Sequence, residues 1–324
     1  MGAITWPNGH RFAFTIFDDT DWTTLSNGPP IYDLLDELGL RITKSVWVDD
    51  PGPRRTIGGS TCAEPDYLDW VLDLQSRGHE IGYHNATDHS STRERTRAAL
   101  DRFEQLFGHP PRCGADHAAN AEALYAGPAR LSGMRAGAYR LAQRVAQPSR
   151  PGFSGEDPAS DYFWGDLCAA RISYWRRFSF ARTDVSTVGP VLHHDPTRPY
   201  VNHWFNSAHG PRRASFVERL RASELDRLER DGGICIMYTH LGLDFVDEDG
   251  RPAPDVVRAL GDVAGRDGWF APVSEVLDHV AATVGSPELD RRGRARLERR
   301  WVLDRLADRS PIGPRVATHD RTVG

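Results

Sequence analysis

Lysine is almost missing from this chain: of its 40 basic residues only Lys44 is a lysine, and the rest are arginine. That bias fits genome composition more naturally than function. Cysteine is scarce as well. Cys62, Cys113, Cys168 and Cys235 lie far apart with no CxxC pair, which excludes a zinc ribbon. In 324 residues they do not make a disulfide framework either, so buried free thiols are expected. No apolar run reaches the roughly 18 residues that a membrane span needs. No basic-then-apolar segment opens the sequence, so neither a signal peptide nor a span is read, and a cytoplasmic location is the expectation. An excess of positive charge is also lacking. The formal net charge is -5, which argues against nucleic acid as a partner. What the chain does have is apolar and aromatic mass, 39% apolar residues including 13 Phe and 9 Trp, enough for a sizeable core.

Short β-like runs alternate with amphipathic stretches. Residues 11–17 (RFAFTIF), 42–48, 78–84 (GHEIGYH), 200–205, 233–240 (GICIMYTH) and 269–272 read as strands. Residues 31–40, 67–75, 91–107, 120–147, 216–230, 254–264 and 274–284 read as helices, the last N-capped by Ser274. This alternation predicts an α/β chain with a parallel sheet covered by helices. Residues 149–158 form a Pro/Gly-rich loop, and 160–182 are rich in aromatics. From 285 the composition changes to dense alternating charge, expected to be an exposed helix or tail. No internal repeat is visible.

Parallel α/β folds place their sites at the carboxyl ends of strands. Three such ends carry titratable groups: Asp18-Asp19, His84 with Asp88 and His89 following, and His240. Adjacent acids often only turn or cap the chain, but in different surroundings they divide labour between metal binding and base catalysis. His84, His89 and Asp19 would form a three-ligand set with open positions, the pattern of catalytic rather than structural zinc. Asp88 is a rival third ligand. His240 would suit a general acid.

Taken in order, FTIFDD, GHEIGYHNATDHSS, a PPR segment and ICIMYTH resemble the polysaccharide deacetylases of carbohydrate esterase family 4, over roughly residues 10–284. GHEIGYH is the most specific element. The resemblance implies a distorted (β/α) barrel of about seven strands. Asp18 corresponds to the catalytic base, and Asp19, His84 and His89 to the metal ligands. Arg112 corresponds to the arginine that holds the base, and His240 to the acid. The family's metal histidines stand four apart, whereas His84 and His89 stand five apart and Asp88 holds the usual place. The third motif reads PPRCGADHAAN, which adds Asp116, His117 and Asn120 as candidate lining residues; His203 and Trp204 are further candidates.

The implied activity is removal of an acetyl group from an N-acetylated sugar or glycan precursor by a divalent metal, zinc first among them. A second expectation keeps the fold and hydrolyses another non-peptide C–N bond of the cyclic amide type, with or without metal. A third is a non-catalytic glycan-binding protein. The domain expectation is a barrel over 1–284, with an irregular aromatic-rich insertion near 150–210, and an appended charged segment over 285–324. Oligomeric state is not legible.

Overall fold

The computed structural model describes residues 4–146 and 152–308. Nine strands are present among them: β1 (Phe12–Asp18), β2 (Thr43–Val46), β3 (Glu80–Tyr83), β4 (Cys113–Gly114), β5 (Tyr174–Phe180), β6 (Leu192–His193), β7 (His203–His209), β8 (Ile234–Thr239) and β9 (Gly268–Phe270). Seven of them close into a parallel barrel in the order β2-β3-β4-β5-β7-β8-β1 and back to β2. The α/β barrel of about seven strands expected from the sequence is thus the observed fold. The apolar and aromatic run of β1 is buried along its whole length, as a strand covered on both faces must be. One edge of β1 is shared: Phe12 to Phe14 pair with β9, and Phe17 and Asp18 pair with β2.

Some elements differ from the sequence expectation. Residues 115–132 form turns and a short 3-10 helix, Gly127–Arg130, and the α-helix begins only at Gly133–Ala146. The expected helix 216–230 is two, Arg213–Arg219 and Ala222–Asp231. The last barrel helix runs Val273–Val284, so Pro272 holds the N-cap position expected for Ser274. The stretch 150–210, expected as an irregular insertion, supplies β5 and β7 to the barrel. All four cysteines are buried and unpaired. No helix among the described residues is long and apolar enough to cross a membrane.

The charged C-terminal segment forms the helix Arg291–Ala307, and that helix is docked rather than exposed; residues 309–324 lie outside the described residues. Leu297 and Trp301 bury against Phe178 and Phe180 on the outer face of β5. Glu298 accepts from Ser132 Oγ (2.8 Å) and Arg135 Nη2 (3.0 Å). Asp195 ties the same helix down by accepting from Arg294, together with Arg177 and Arg198. Removing one partner from a buried ionic network leaves charges uncompensated, so Asp195→Ala is expected to cost about 3–5 kcal/mol of unfolding free energy. Urea denaturation reads this directly, and a change within experimental error would mean that the network contributes no net stability.

Candidate active site

The parallel register brings the carboxyl ends of β1, β2, β3, β4 and β8 to one rim: Asp18 pairs with Lys44 and with Thr239, and Tyr83 pairs with Gly114. The turn after β1 carries Asp19 and Asp21, His84 follows β3, His117 lies three residues beyond β4, and His240 follows β8. Arg176 reaches in from β5, just before an irregularity in that strand's pairing with β7.

These side chains converge on Asp21. His84 Nε2 lies 3.1 Å from Asp21 Oδ2, His117 Nε2 3.1 Å from Oδ1, and His240 Nε2 3.8 Å from Oδ2. Asp19 Oδ2 is 3.7 Å from His84 Nε2, and one ligand atom each from Asp19, Asp21 and His240 falls within 4.8 Å of the others. Arg176 grips Asp19 through two parallel hydrogen bonds (2.7 and 2.6 Å) while stacking over the rings of Tyr238 and Phe17. Trp47 stacks on His84, and the Trp22 ring stands edge-on to His240.

The other ring nitrogen of each histidine is already engaged. His84 Nδ1 meets Ala115 O (3.0 Å), His240 Nδ1 meets Pro211 O (2.8 Å) and His117 Nδ1 meets Asn120 Oδ1 (3.1 Å). A carbonyl oxygen only accepts, so Nδ1 donates in all three and each ring turns its Nε2 toward Asp21. Asn120 is itself oriented, because its Nδ2 donates to Thr87 O and Glu122 Oε1. Three imidazole Nε2 atoms gathered on one carboxylate make a pocket suited to positive charge. His117 Nε2 makes the point sharply, being buried at 3.1 Å from Asp21 without hydrogen-bond geometry and with no other partner. A divalent metal fits the ligand atoms of Asp19, Asp21 and His240, and the histidines' backbone and amide partners match the outer-shell support of metal sites.

The electrostatics agree. Burial alone would raise the Asp19 carboxyl, but Arg176 and His84 outweigh it and leave its pKa below the usual range. Burial likewise pushes Asp21 up, against His117 and His84, which take it well below. His117 moves the other way: burial disfavours its charge, yet Asp21 brings it up to about 9, so this pocket favours positive charge. The backbone is held in unusual conformations around these residues. Trp22 (φ 59°) and Asn85 (φ 63°) occupy the left-handed region directly after Asp21 and His84, and strain of that kind collects at functional sites.

Several residues singled out in the sequence lie elsewhere. Asp18 is fully enclosed, accepting from Leu241 N (2.7 Å) and Tyr32 Oη (2.9 Å) and pairing with Lys44 Nζ (2.9 Å). The aspartate gripped by an arginine is therefore Asp19, and the arginine is Arg176. Arg112 instead bonds Asp278 at the surface. His89 does not join His84: its Nδ1 meets Asp88 and its Nε2 meets Arg95. Asp88 does not join it either, because the backbone N–H groups of Thr56 and Ile57 donate to its carboxylate. The second imidazole beside His84 is His117, and Asn120 stands behind it as its support. Asp116 binds Leu124 N and Trp175 Nε1. His203 begins β7, at the opposite end of the strand from His209, and bonds Ser286, while Trp204 is buried against Tyr125. Asp21 and Arg176 were not anticipated.

Glu122, which holds both Asn120 and Ser91 N, is pushed up to about 7 by burial against the pull of those hydrogen bonds. A carboxyl raised in this way binds its proton more tightly folded than unfolded, so its contribution is complete at low pH and is lost as pH rises from about 4.5 through 7, roughly 3 kcal/mol in all. Glu122→Gln should flatten stability against pH across that window. An unchanged slope in pH-dependent denaturation would remove Glu122 as its source.

The closed seven-stranded parallel barrel with flanking helices matches the fold of solved polysaccharide deacetylases. No family model matches the sequence, and no curated protein does. The chain is similar in structure to a candidate polysaccharide deacetylase from Mycobacterium smegmatis, with 16% identity, a TM-score of 0.51, and 90% of this chain and 97% of that one covered. It is also similar to Puue allantoinase, with 13% identity, a TM-score of 0.51 and coverage of 87% and 94%. A candidate polysaccharide deacetylase from Pseudomonas aeruginosa PAO1 gives 12% identity, a TM-score of 0.50 and coverage of 87% and 95%. At these identities the likeness is one of fold.

Proposed function

We infer that this protein is a metal-dependent hydrolase of a non-peptide C–N bond, and that it removes the acetyl group of an N-acetylated sugar. The observation that carries the reading is the convergence of three Nδ1-anchored imidazoles on Asp21 beside an arginine-held Asp19. Asp21, His84 and His117 are the metal ligands in this reading. Two imidazoles and a carboxylate leave coordination positions open, as catalytic zinc sites do. A divalent cation held there would supply Lewis-acid polarisation of the amide carbonyl.

The chain's own groups divide the proton work. Asp19, kept ionised and oriented by Arg176, accepts the proton of the attacking water at a carboxylate oxygen. His240 is the most exposed of the three histidines, its side chain retaining 11% of its surface against 1% and 2% for His84 and His117. It is therefore the imidazole that meets a substrate, and its Nε2 takes up the proton that Asp19 accepted from the water and delivers it to the departing nitrogen. Tyr238 Oη, 3.4 Å from His240 Nε2, and the Trp22 ring hold the imidazole in place.

The likeness to an allantoinase favours a second reading on the same site, hydrolysis of a cyclic amide. The two separate in one assay on the zinc-loaded protein, scoring acetate release from N-acetylglucosamine oligomers against ring opening of allantoin. Acetate release supports deacetylation and ring opening supports the second reading. Inertness toward both substrate classes would sink both.

A further inference from the structure

The chain's single lysine sits where no solvent reaches. Lys44 Nζ contacts Asp18 Oδ2 (2.9 Å) and Thr23 Oγ1 (3.2 Å), and both members of the ion pair have side chains with 0% exposure. Asp18 in turn accepts from the N–H of Leu241, the residue after His240, while Thr23 lies two residues after Asp21. One buried charge pair therefore ties the turn that carries Asp21 to the turn that carries His240. The same two turns are in direct contact. A Cβ on Gly242 would come within 2.4 Å of Thr23 N, and Asn27 Nδ2 bridges Trp22 O (2.9 Å) and Gly242 O (3.0 Å). Elsewhere the chain uses arginine for its cations; here the cation between the two turns is a compact ammonium rather than a planar guanidinium.

We propose that Lys44 and Asp18 are positioning residues, a buried clamp that sets the approach of His240 to Asp21. The clamp touches neither substrate nor metal. It acts on the 3.8 Å separation between Asp21 Oδ2 and His240 Nε2 and on the strained Trp22 of the Asp21 turn. This role rests on the reading that Asp21 and His240 serve one site, and it assigns a task to the aspartate that the sequence motif offers as a base.

Two readouts on the full-length chain test it: amide hydrogen exchange across residues 20–24 and 240–243, which needs no metal, and binding of cobalt(II) followed by its visible absorption, which reports ligand geometry. Lys44→Met and Lys44→Arg should each speed exchange in both turns by at least about tenfold, leave the barrel strands protected, and weaken cobalt binding by about tenfold. A lone Asp18 left buried could prevent folding, so the double variant Asp18→Asn, Lys44→Met, which removes both charges, carries the same expectation. Turns as protected in the double variant as in the wild type would overturn the clamp. So would loosened turns with an unaltered cobalt spectrum and affinity, which would make the pair merely structural. Failure of the wild type to take up cobalt would instead overturn the metal reading of the site, and exchange alone would then decide the clamp.

Discussion

On the proposed metal reading, alanine at His117 is expected to abolish uptake of a divalent metal, whereas alanine at His89 is expected to leave metal uptake unchanged. The expectation follows from where the two imidazoles point. His89 is spent on Asp88 and Arg95, and a ring nitrogen facing a guanidinium is not aimed at a cation. His117 Nε2 is buried 3.1 Å from Asp21, and its Nδ1 is pinned by an asparagine that is itself pinned. Loss of even an outer-shell partner costs tenfold to a hundredfold in metal affinity, so loss of a ligand should cost at least about a hundredfold. His84→Ala belongs with His117→Ala. Elemental analysis after dialysis against trace chelator gives the answer. Metal lost from His89→Ala and kept by His117→Ala would reverse the assignment and favour the sequence spacing over the geometry.

That contrast marks how far the sequence could be read. β1, β3 and β8 were legible because each is an apolar run ending in titratable residues, and parallel α/β folds reuse that position. His84 and His240 follow from it directly. His117 was visible only as a lining candidate, because β4 is two residues long and a two-residue strand has no periodicity to mark its end. The turn after His84 holds two decoys, Asp88 and His89, whose environment is set by backbone N–H groups from residues 56 and 57 and by Arg95, partners that spacing along the chain does not encode.

Arg176 was hidden for a related reason. Its strand reads YWRRFSF, and adjacent arginines look like a solvated pair. In a strand, adjacent side chains point to opposite faces. Arg176 turns toward Asp19, while Arg177 turns toward Asp195 under the C-terminal helix. The one available signal was the strand alternation itself, obscured by aromatics on both faces. The composition of the C-terminal segment misled in the same way. Its charges suggested a solvated surface, yet Arg294 and Glu298 are buried in ion pairs that chain-distant partners complete. Lys44 was noted as the only lysine, but nothing in the sequence said that it lies between two turns of the site.

Asp19→Asn should reduce kcat by about a thousandfold on the N-acetylated substrate while leaving metal content near wild type, since a positioned general base contributes roughly 10²–10⁴. The amide keeps the shape and still accepts from one arm of Arg176, but it cannot take a proton. Loss of metal in this variant would make Asp19 a ligand, consistent with its place within 4.8 Å of Asp21 and His240, and would leave the base unassigned. Arg176→Met tests the electrostatics behind the role. Burial raises the Asp19 pKa, and Arg176 is the first of the groups that bring it down. Without the guanidinium the carboxylate holds its proton to higher pH, so the acidic limb of kcat/KM should move upward and activity at neutral pH should fall, with recovery as pH increases. An acidic limb that stays in place in Arg176→Met, with Asp19→Asn inactive, would mean that Arg176 orients Asp19 without tuning it. An acidic limb shifted to lower pH would contradict the sign of the argument, because removing a neighbouring positive charge cannot make a carboxyl group more acidic.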